Sequence, residues 1–340
     1  MTQKALSISV IICAYTEKRW DNLSAAVKSV QQQTLPATEI IIAVDHNPVL
    51  LKRVQDHIAH VIVVENKGAK GLSDTRNSGI SVAKGQIIAF LDDDAIATPN
   101  WLMFLLEAFS DPQIIGAGGP VIPLWSDSNP FWLPEEFHWV VGCTYRGMPQ
   151  NAQMIRNPIG ANMSFRKEVF DAVGDFRSEI GRVGCRPFGC EETELCIRAR
   201  QYWPERGFLY QPQATVFHHV PGNRTNWHYF FSRCYSEGIS KANVSRYVGT
   251  RDSLASERAY TFRTLPQGVK HGLIDALFHH DPGGFARAGA ISAGLVVTMT
   301  GYLIGSTLLR ISRSKSDVSR EIVFRSAETT PHTLSTRVGT

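Results

Sequence analysis

"GQIIAFLDDDAIATPNWL", residues 85–102, joins two stretches of opposite character. Ile87, Ile88, Ala89, Phe90 and Leu91 form a short continuous apolar run, the pattern of a strand buried on both faces. Asp92, Asp93 and Asp94 follow with no spacer. Adjacent carboxylates repel, so three of them at the end of the most buried strand need an offsetting charge. A divalent cation with oxygen ligands supplies it most directly. Asp92 and Asp94, with one residue between them, can both turn to one side of an extended segment.

Outward from this strand the first hundred residues alternate. "ISVIICAY" (8–15), "EIIIAVD" (39–45) and "HVIVVEN" (60–66) read as three further strands. Between them, Leu23, Ala26, Val27 and Val30 recur at helical spacing behind Asp21, and Val49, Leu51, Val54 and Ile58 mark a second helix. Residues 73–83 mark a third. This alternation predicts an α/β, doubly wound fold: a parallel sheet covered by helices on both faces, with ligands beyond the carboxyl ends of its strands. Those ends carry Tyr15, Thr16 and Glu17, then Asp45, then the Asp triplet. A lone Asp after a strand is an ordinary turn or helix cap. The three together favour a ligand cleft.

The 340 residues allow one large domain or a domain with an extension, and 43% hydrophobic with 19% charged residues describes a globular chain. A net charge of +4 makes no case for a nucleic-acid partner. Cys13, Cys143, Cys185, Cys190, Cys196 and Cys234 have neither CxxC nor zinc spacing, which predicts reduced thiols in a cytosolic setting. "MTQKALSISVIICAY" enters a strand almost at once, so no signal peptide is expected and the catalytic part is expected in the cytoplasm.

"VIICAYTE" (10–17), "VD" (44–45), "KGLSDTRNSG" (70–79), "AFLDDDAIATPNWL" (89–102), "GANMSFRKEVFDAVGDF" (160–176) and "CEETELCIR" (190–198) occur in this order. Together they resemble the inverting family 2 glycosyltransferases of the GT-A fold, a doubly wound, Rossmann-like nucleotide-binding sheet, over about residues 7–220. The resemblance implies a nucleotide-sugar donor, UDP-linked by preference, and Mn²⁺ or Mg²⁺. It implies that Tyr15, Thr16, Glu17 and Asp45 line the base pocket and that Arg76 contacts the nucleotide. Gly68 and Gly71 would let the preceding loop approach the ligand. Asp92 would lean toward the ribose, Asp93 would belong with the donor-binding acids, and Asp94 would bind the metal together with Asp92. His218 lies where some relatives place a histidine near that metal, although a lone His is more often structural. Family members have Glu-Asp where this chain has Glu191-Glu192, so Glu192 takes the position of the general base and Glu191 stands beside it. Two acids opening a helix are also what its dipole alone would favour. Gly160 and Asn162 would line the acceptor side, against the plainer reading of a buried Asn that holds a turn.

Residues 123–150 hold Trp125, Phe131, Trp132, Phe137, Trp139 and Tyr145 among four prolines, either an insertion with its own small core or an acceptor loop to which Trp132 contributes. From 226 a helix with an aromatic face carries Arg233, Lys241 and Arg246. Residues 288–309 carry no charge and are bounded by Arg287 and Arg310. At 1.5 Å per residue they are long enough for a bilayer, about 33 Å. Basic residues on both flanks favour a re-entrant or surface-lying segment, or a short hairpin with "GLIDALF" (272–278). The expected organisation is a GT-A domain over 1–225 (nucleotide-sugar half about 1–122, acceptor half about 123–225), a helical, membrane-associating extension over 226–310, and a basic, disordered tail over 311–340. The C-terminal pattern resembles a subgroup acting on polyprenyl- or dolichyl-phosphate-linked sugars, glucuronosyl transfer included. That implies a lipid-linked sugar or cell-envelope glycan as acceptor, at the cytoplasmic face of the membrane. The competing expectation is a non-catalytic protein of the same fold that binds nucleotide sugars or scaffolds others; such a protein would be expected to lose one of the two acid groups.

Overall fold

The computed structural model describes residues 6–182, 188–253 and 257–328. β1 (Ile8–Ala14), β2 (Glu39–Val44), β3 (Ile62–Glu65) and β4 (Ile87–Asp92) are parallel, in the order β3-β2-β1-β4. The connections are α1 (Trp20–Gln31), α2 (Pro48–His57) and α3 (Leu72–Val82). Leu23, Ala26, Val27 and Val30 are the buried face of α1, the spacing that the sequence displays. Asn47 caps α2 by accepting from the Leu50 amide, and Pro48 opens its first turn.

The opening stretch is buried on both faces. Ile87, Ala89 and Leu91 pack into the core on one side of the sheet, and Ile88 and Phe90 into the core on the other. Phe90 meets Phe165, Phe170 and Phe176 edge-on, with ring centroids 6.2, 6.3 and 5.6 Å away. Burying such a ring is worth about 2 kcal/mol or more, which anchors the strand that carries the three acids.

The chain continues through β5 (Ala95–Ala97), α4 (Trp101–Ala108), β6 (Ile114–Gly118), β7 (Val121–Trp125), β8 (Gln153–Ile155), β9 (Asn162–Arg166), α5 (Lys167–Val173), α6 (Glu191–Tyr202), β10 (Gly207–Tyr210) and β11 (Val216–Val220). β9 enters antiparallel between β4 and β6, so the larger sheet, ordered β3-β2-β1-β4-β9-β6-β10-β8, is parallel in its first half and mixed beyond it. A smaller sheet, β5-β11-β7, stands over the carboxyl end of β4. Its pairing of His218 with Ala95 brings β11 beside the Asp triplet.

Three helices complete the described chain: α7 (Trp227–Val248), α8 (Leu265–Phe278) and α9 (Gly283–Glu328). Helix α9 runs on to Glu328, past the point where the sequence predicts a disordered tail; residues 329–340 lie outside the described residues. Helices α7 and α9 touch backbone to backbone. A Cβ on Gly238 would lie 2.1 Å from the Thr298 carbonyl, and one on Gly301 would lie 2.2 Å from the Tyr235 carbonyl. The seam therefore requires glycine on both helices. Helix α8, which contains "GLIDALF", packs on the start of α9, the hairpin that is one of the sequence alternatives. The aromatic insertion has no core of its own: Trp132, Leu133, Phe137 and Val140 pack with Phe230, Cys234, Leu265 and Ile291 of these helices. By length and composition the helix over Gly283–Leu309 can cross a membrane. Its inner face is buried at Ala290 and Ile291, while Val296, Met299, Leu303 and Leu308 are exposed.

Candidate functional site

The parallel register sets the rim. Cys13 pairs with Asp92 across β1 and β4, and the Asp45 amide donates to the Ala14 carbonyl at 2.8 Å. The Asp45 carboxylate is buried and fixed: it accepts from Asn66 Nδ2 at 2.9 Å and from the Gly71 amide at 3.1 Å, with His46 Nδ1 at 2.9 Å. Gly71 has φ 143°, a conformation open to glycine, which turns its amide toward Asp45. Tyr15, Arg19, Asp45 and the three acids line a small cavity of about 90 Å³. Thr16 and Glu17 do not line it. A one-turn helix over 17–19 directs them to capping: Thr16 accepts from the Lys18 amide, and Glu17 accepts from Asn47.

The acids differ in their surroundings. Asp92 is partly exposed and borders both this cavity and a larger one. Asp93 and Asp94 are buried, clamped by Arg19 Nη1 at 2.7 and 3.0 Å. Asp94 also meets His218 Nε2 at 3.1 Å and Arg224 at 3.9 Å. Burial raises both carboxyls. In Asp93 burial prevails, reinforced by the Asp94 charge, and its pKa reaches about 7. In Asp94 the charge and hydrogen bond of His218, with Arg19 and Arg224, outweigh burial and hold it far below the usual carboxylate range. His218, lowered by burial but raised more by Asp94, reaches about 10. His219 points the other way, to Asn22 and Ser126, as strand alternation requires.

Ligand atoms of Asp92, Asp94 and His218 lie within 4.8 Å of one another. Two carboxylates and an imidazole suit a divalent cation such as Mn²⁺. Arg19, His218 and Arg224 bring to Asp94 the positive charge that a bound cation would also supply, and His218 would ligate it as the neutral imidazole. The residues fit a metal.

The second group opens α6, where Cys190 at φ 73° turns the chain into the helix. Glu191 Oε1 pairs with Arg76 Nη1 at 2.7 Å, while its Oε2 is buried without a partner among the described residues. Arg76, 2% exposed, also reaches Asp92 Oδ1 at 3.7 Å and donates to the Gly160 carbonyl at 3.3 Å. This guanidinium links the two acid groups and lines the larger cavity beside Asp92. Glu192 is partly buried and accepts from Thr193 Oγ1 at 3.1 Å. Burial first, and then the Glu191 charge, raise its pKa to about 7.

Glu191, Glu192, Gly160, Arg76 and Asp92 line the larger cavity, of about 470 Å³. Its far walls come from α7 and α9. Two expected acceptor residues are elsewhere. The Asn162 amide, fully buried, accepts from Trp101 Nε1 at 2.8 Å and donates to the Pro120 and Ala214 carbonyls at 3.1 and 2.7 Å. It joins the two sheets and has nothing left for a substrate. Trp132 stacks on Trp227 with centroids 4.1 Å apart, inside the helical core. The sequence reading missed Arg19, Arg182 and Arg224, each on a connection outside the motifs; "EKRW" and "PGNR" are the signals that carried two of them.

Residues 9–174 match the family model for glycosyl transferase family 2. The chain is 35% identical over 240 residues to a glucosyl-dolichyl phosphate glucuronosyltransferase of Haloferax volcanii, covering 69% of this chain and 76% of that protein. It is 36% identical over 91 residues to an Escherichia coli UDP-Glc:α-D-GlcNAc-diphosphoundecaprenol β-1,3-glucosyltransferase, covering 26% of this chain and 35% of that one. In fold it is similar to a mannosyltransferase of Pyrobaculum calidifontis solved with GDP-Man and Mn²⁺, at a TM-score of 0.54 and 15% identity, over 90% and 87% of the two chains.

Proposed function

This chain belongs to glycosyltransferase family 2, and from that premise we propose that it moves a sugar with inversion from a nucleotide sugar, UDP-linked by preference, to a hydroxyl of a lipid-linked sugar at the cytoplasmic membrane surface. The observation that carries this reading is one continuous cavity with Glu192 on one wall, Asp92 at its boundary with the rim pocket, and the apolar helix α9 on the opposite wall.

The donor lies along the rim, its base against Tyr15 and Asp45. Asp92, Asp94 and His218 would hold Mn²⁺ or Mg²⁺, and the cation would supply positive charge to the departing nucleoside diphosphate. Glu192 accepts the proton of the acceptor hydroxyl as that oxygen bonds to the anomeric carbon. The bond from that carbon to the diphosphate breaks on the opposite face. A carboxylate with a pKa near 7 suits this task, because it is ionised at working pH and basic enough to take the proton. Glu191 and Arg76 position it. The Glu191 charge raises the pKa of Glu192 and Arg76 partly offsets it.

The outer faces of α8 and α9, with Leu277, Phe278, Phe285 and Leu303 exposed, would rest in the headgroup region. The haloarchaeal relative's name supplies the lipid-linked acceptor by similarity. Glu192→Gln tests the base. Transfer measured with radiolabelled donor should fall about 10²–10⁴-fold, with donor binding retained. Transfer near the wild-type rate would remove Glu192 from this role.

A further inference from the structure

The wall of the larger cavity away from Glu192 carries more positive charge than its own carboxylates neutralise. Arg233, Glu237 and Lys241 form a stripe at i, i+4 and i+8 on α7. Lys241 Nζ lies 2.7 Å from Glu257 and 3.7 Å from Glu237; Arg233 lies 3.2 Å from Glu237, and Arg156 lies 2.8 Å from Glu257. Arg182 joins them from the loop before α6, and its side chain makes no ion pair or hydrogen bond with any described residue. Among the described residues four cations face two carboxylates on this wall, all of them lining the cavity, and Glu192 also attracts Arg233. Burial, together with the like charges of Arg224 and Arg233, lowers the pKa of Arg182. An excess of positive charge on groups held largely out of water is costly unless an anion joins them.

Position identifies the anion. Arg156, Arg233 and Lys241 line the larger cavity but not the rim pocket that holds Asp45 and Tyr15, whereas Arg182 lines both and stands at their boundary. The first three therefore stand on the side away from the nucleotide. Beyond them the wall turns apolar along α9, at Leu295, Met299 and Leu303, and Met299 and Leu303 are 55% and 63% exposed on the surface of the same helix. The order along the cavity is a carboxylate, then a cation cluster, then an apolar exit.

We propose that Arg233 and Lys241, backed by Arg156 and joined by Arg182 at the boundary with the rim pocket, bind the phosphate of a lipid phosphate acceptor, whose sugar then faces Glu192 and whose hydrocarbon chain leaves along α9. The proposal rests on the reading that this cavity takes the acceptor, and it assigns the residues that select a phosphate-bearing lipid over a neutral one.

The test is calorimetric binding to the full chain of decyl phosphate, decyl glucoside and inorganic phosphate. Decyl phosphate should bind at least about tenfold tighter than either of the others, since each lacks one half of the recognised group. Arg182→Gln, which leaves no carboxylate without its partner, should weaken decyl phosphate about tenfold and decyl glucoside less than about twofold. Lys241→Met should do the same, with Lys241→Arg restoring affinity. Equal affinity for decyl phosphate and decyl glucoside overturns the proposal. So does equal affinity for inorganic phosphate, which would make this a general anion site. Displacement of decyl phosphate by UDP with Mn²⁺ overturns it as well, because the cluster would then belong to the donor diphosphate. The parent reading fails separately, through a Glu192→Gln enzyme that still transfers sugar, and these binding measurements involve no transfer.

Discussion

Glu191→Gln isolates the cause of the raised Glu192 pKa. Glu192 reaches about 7 because it is buried beside the charge of Glu191. In the wild type kcat/KM should therefore rise about tenfold per pH unit below 7 and level off above it, as the carboxylate form fills. Carboxylates on adjacent residues, taken as roughly 7 Å apart at an effective dielectric near 20, repel by about 2.4 kcal/mol. That corresponds to about 1.7 pH units. Gln at 191 keeps an oxygen for Arg76 but removes the charge, and the attraction of Arg76 for Glu192 acts in the same direction. The lower limb should move acidward by about 1.5 units, so that at pH 6 the variant works at a larger fraction of its own plateau than the wild type does. Arg76 is deeply buried and loses its ionised partner, so a stability loss of about 3 kcal/mol accompanies the change. Unfolding curves taken alongside keep the two effects apart. The assay is initial-rate kcat/KM for acceptor between pH 5.5 and 8.5 at saturating donor. A midpoint that stays in place or moves upward in Glu191→Gln, or a wild-type profile flat across pH 6–8, refutes the reasoning.

Asp94→Asn removes the carboxylate that His218 and Arg19 converge on. A nucleotide sugar with Mn²⁺ at about a hundred times its dissociation constant should stabilise the wild type by about 2.7 kcal/mol, and thermal unfolding of the variant should show none of this. Asn162→Ala leaves the Trp101 donor and the Ala214 carbonyl without partners, while Pro120 keeps the Val216 amide, so a loss of about 2–4 kcal/mol is expected in denaturant unfolding. The KM for acceptor should stay within about twofold; a large KM effect would return Asn162 to the acceptor site. Gly301→Val drives a side chain into the Tyr235 carbonyl and should lower stability by about 3 kcal/mol. It should also weaken vesicle co-sedimentation, because α7 and α9 can no longer share their seam.

The half of the fold that turns on local periodicity could be read in advance. Ile87–Leu91 have no polar member, so both faces of β4 had to be covered, and the acids after it had to fall at a rim. The antiparallel entry of β9 has no such signal, because its position depends on which strand ends it reaches and not on its own pattern. The same distinction separates the site residues. Asp92, Asp94, Glu191 and Glu192 lie in short motifs whose chemistry is local. Asn162 lies in a motif too, but its function is set by Trp101, Pro120 and Ala214, none of them adjacent in sequence. Trp132 looked like a sugar platform because aromatic rings serve both purposes, and only the approach of Trp227 decides between them. Arg19, Arg182 and Arg224 come from three separate connections, and no window of sequence holds two of them.

The seam between α7 and α9 has a consequence for how the enzyme comes into being. Glu191 and Glu192 leave the ribosome about a hundred residues before Leu295, Thr298, Met299 and Tyr302, which close the cavity opposite them. During synthesis the nucleotide pocket is therefore complete while the second substrate still lacks a wall. The missing wall arrives on the one described segment apolar enough to seek a bilayer. Truncating the chain at 282 to obtain a soluble form would remove part of the active site along with the membrane contact. A polypeptide built in this order closes its larger cavity only as its last long helix docks.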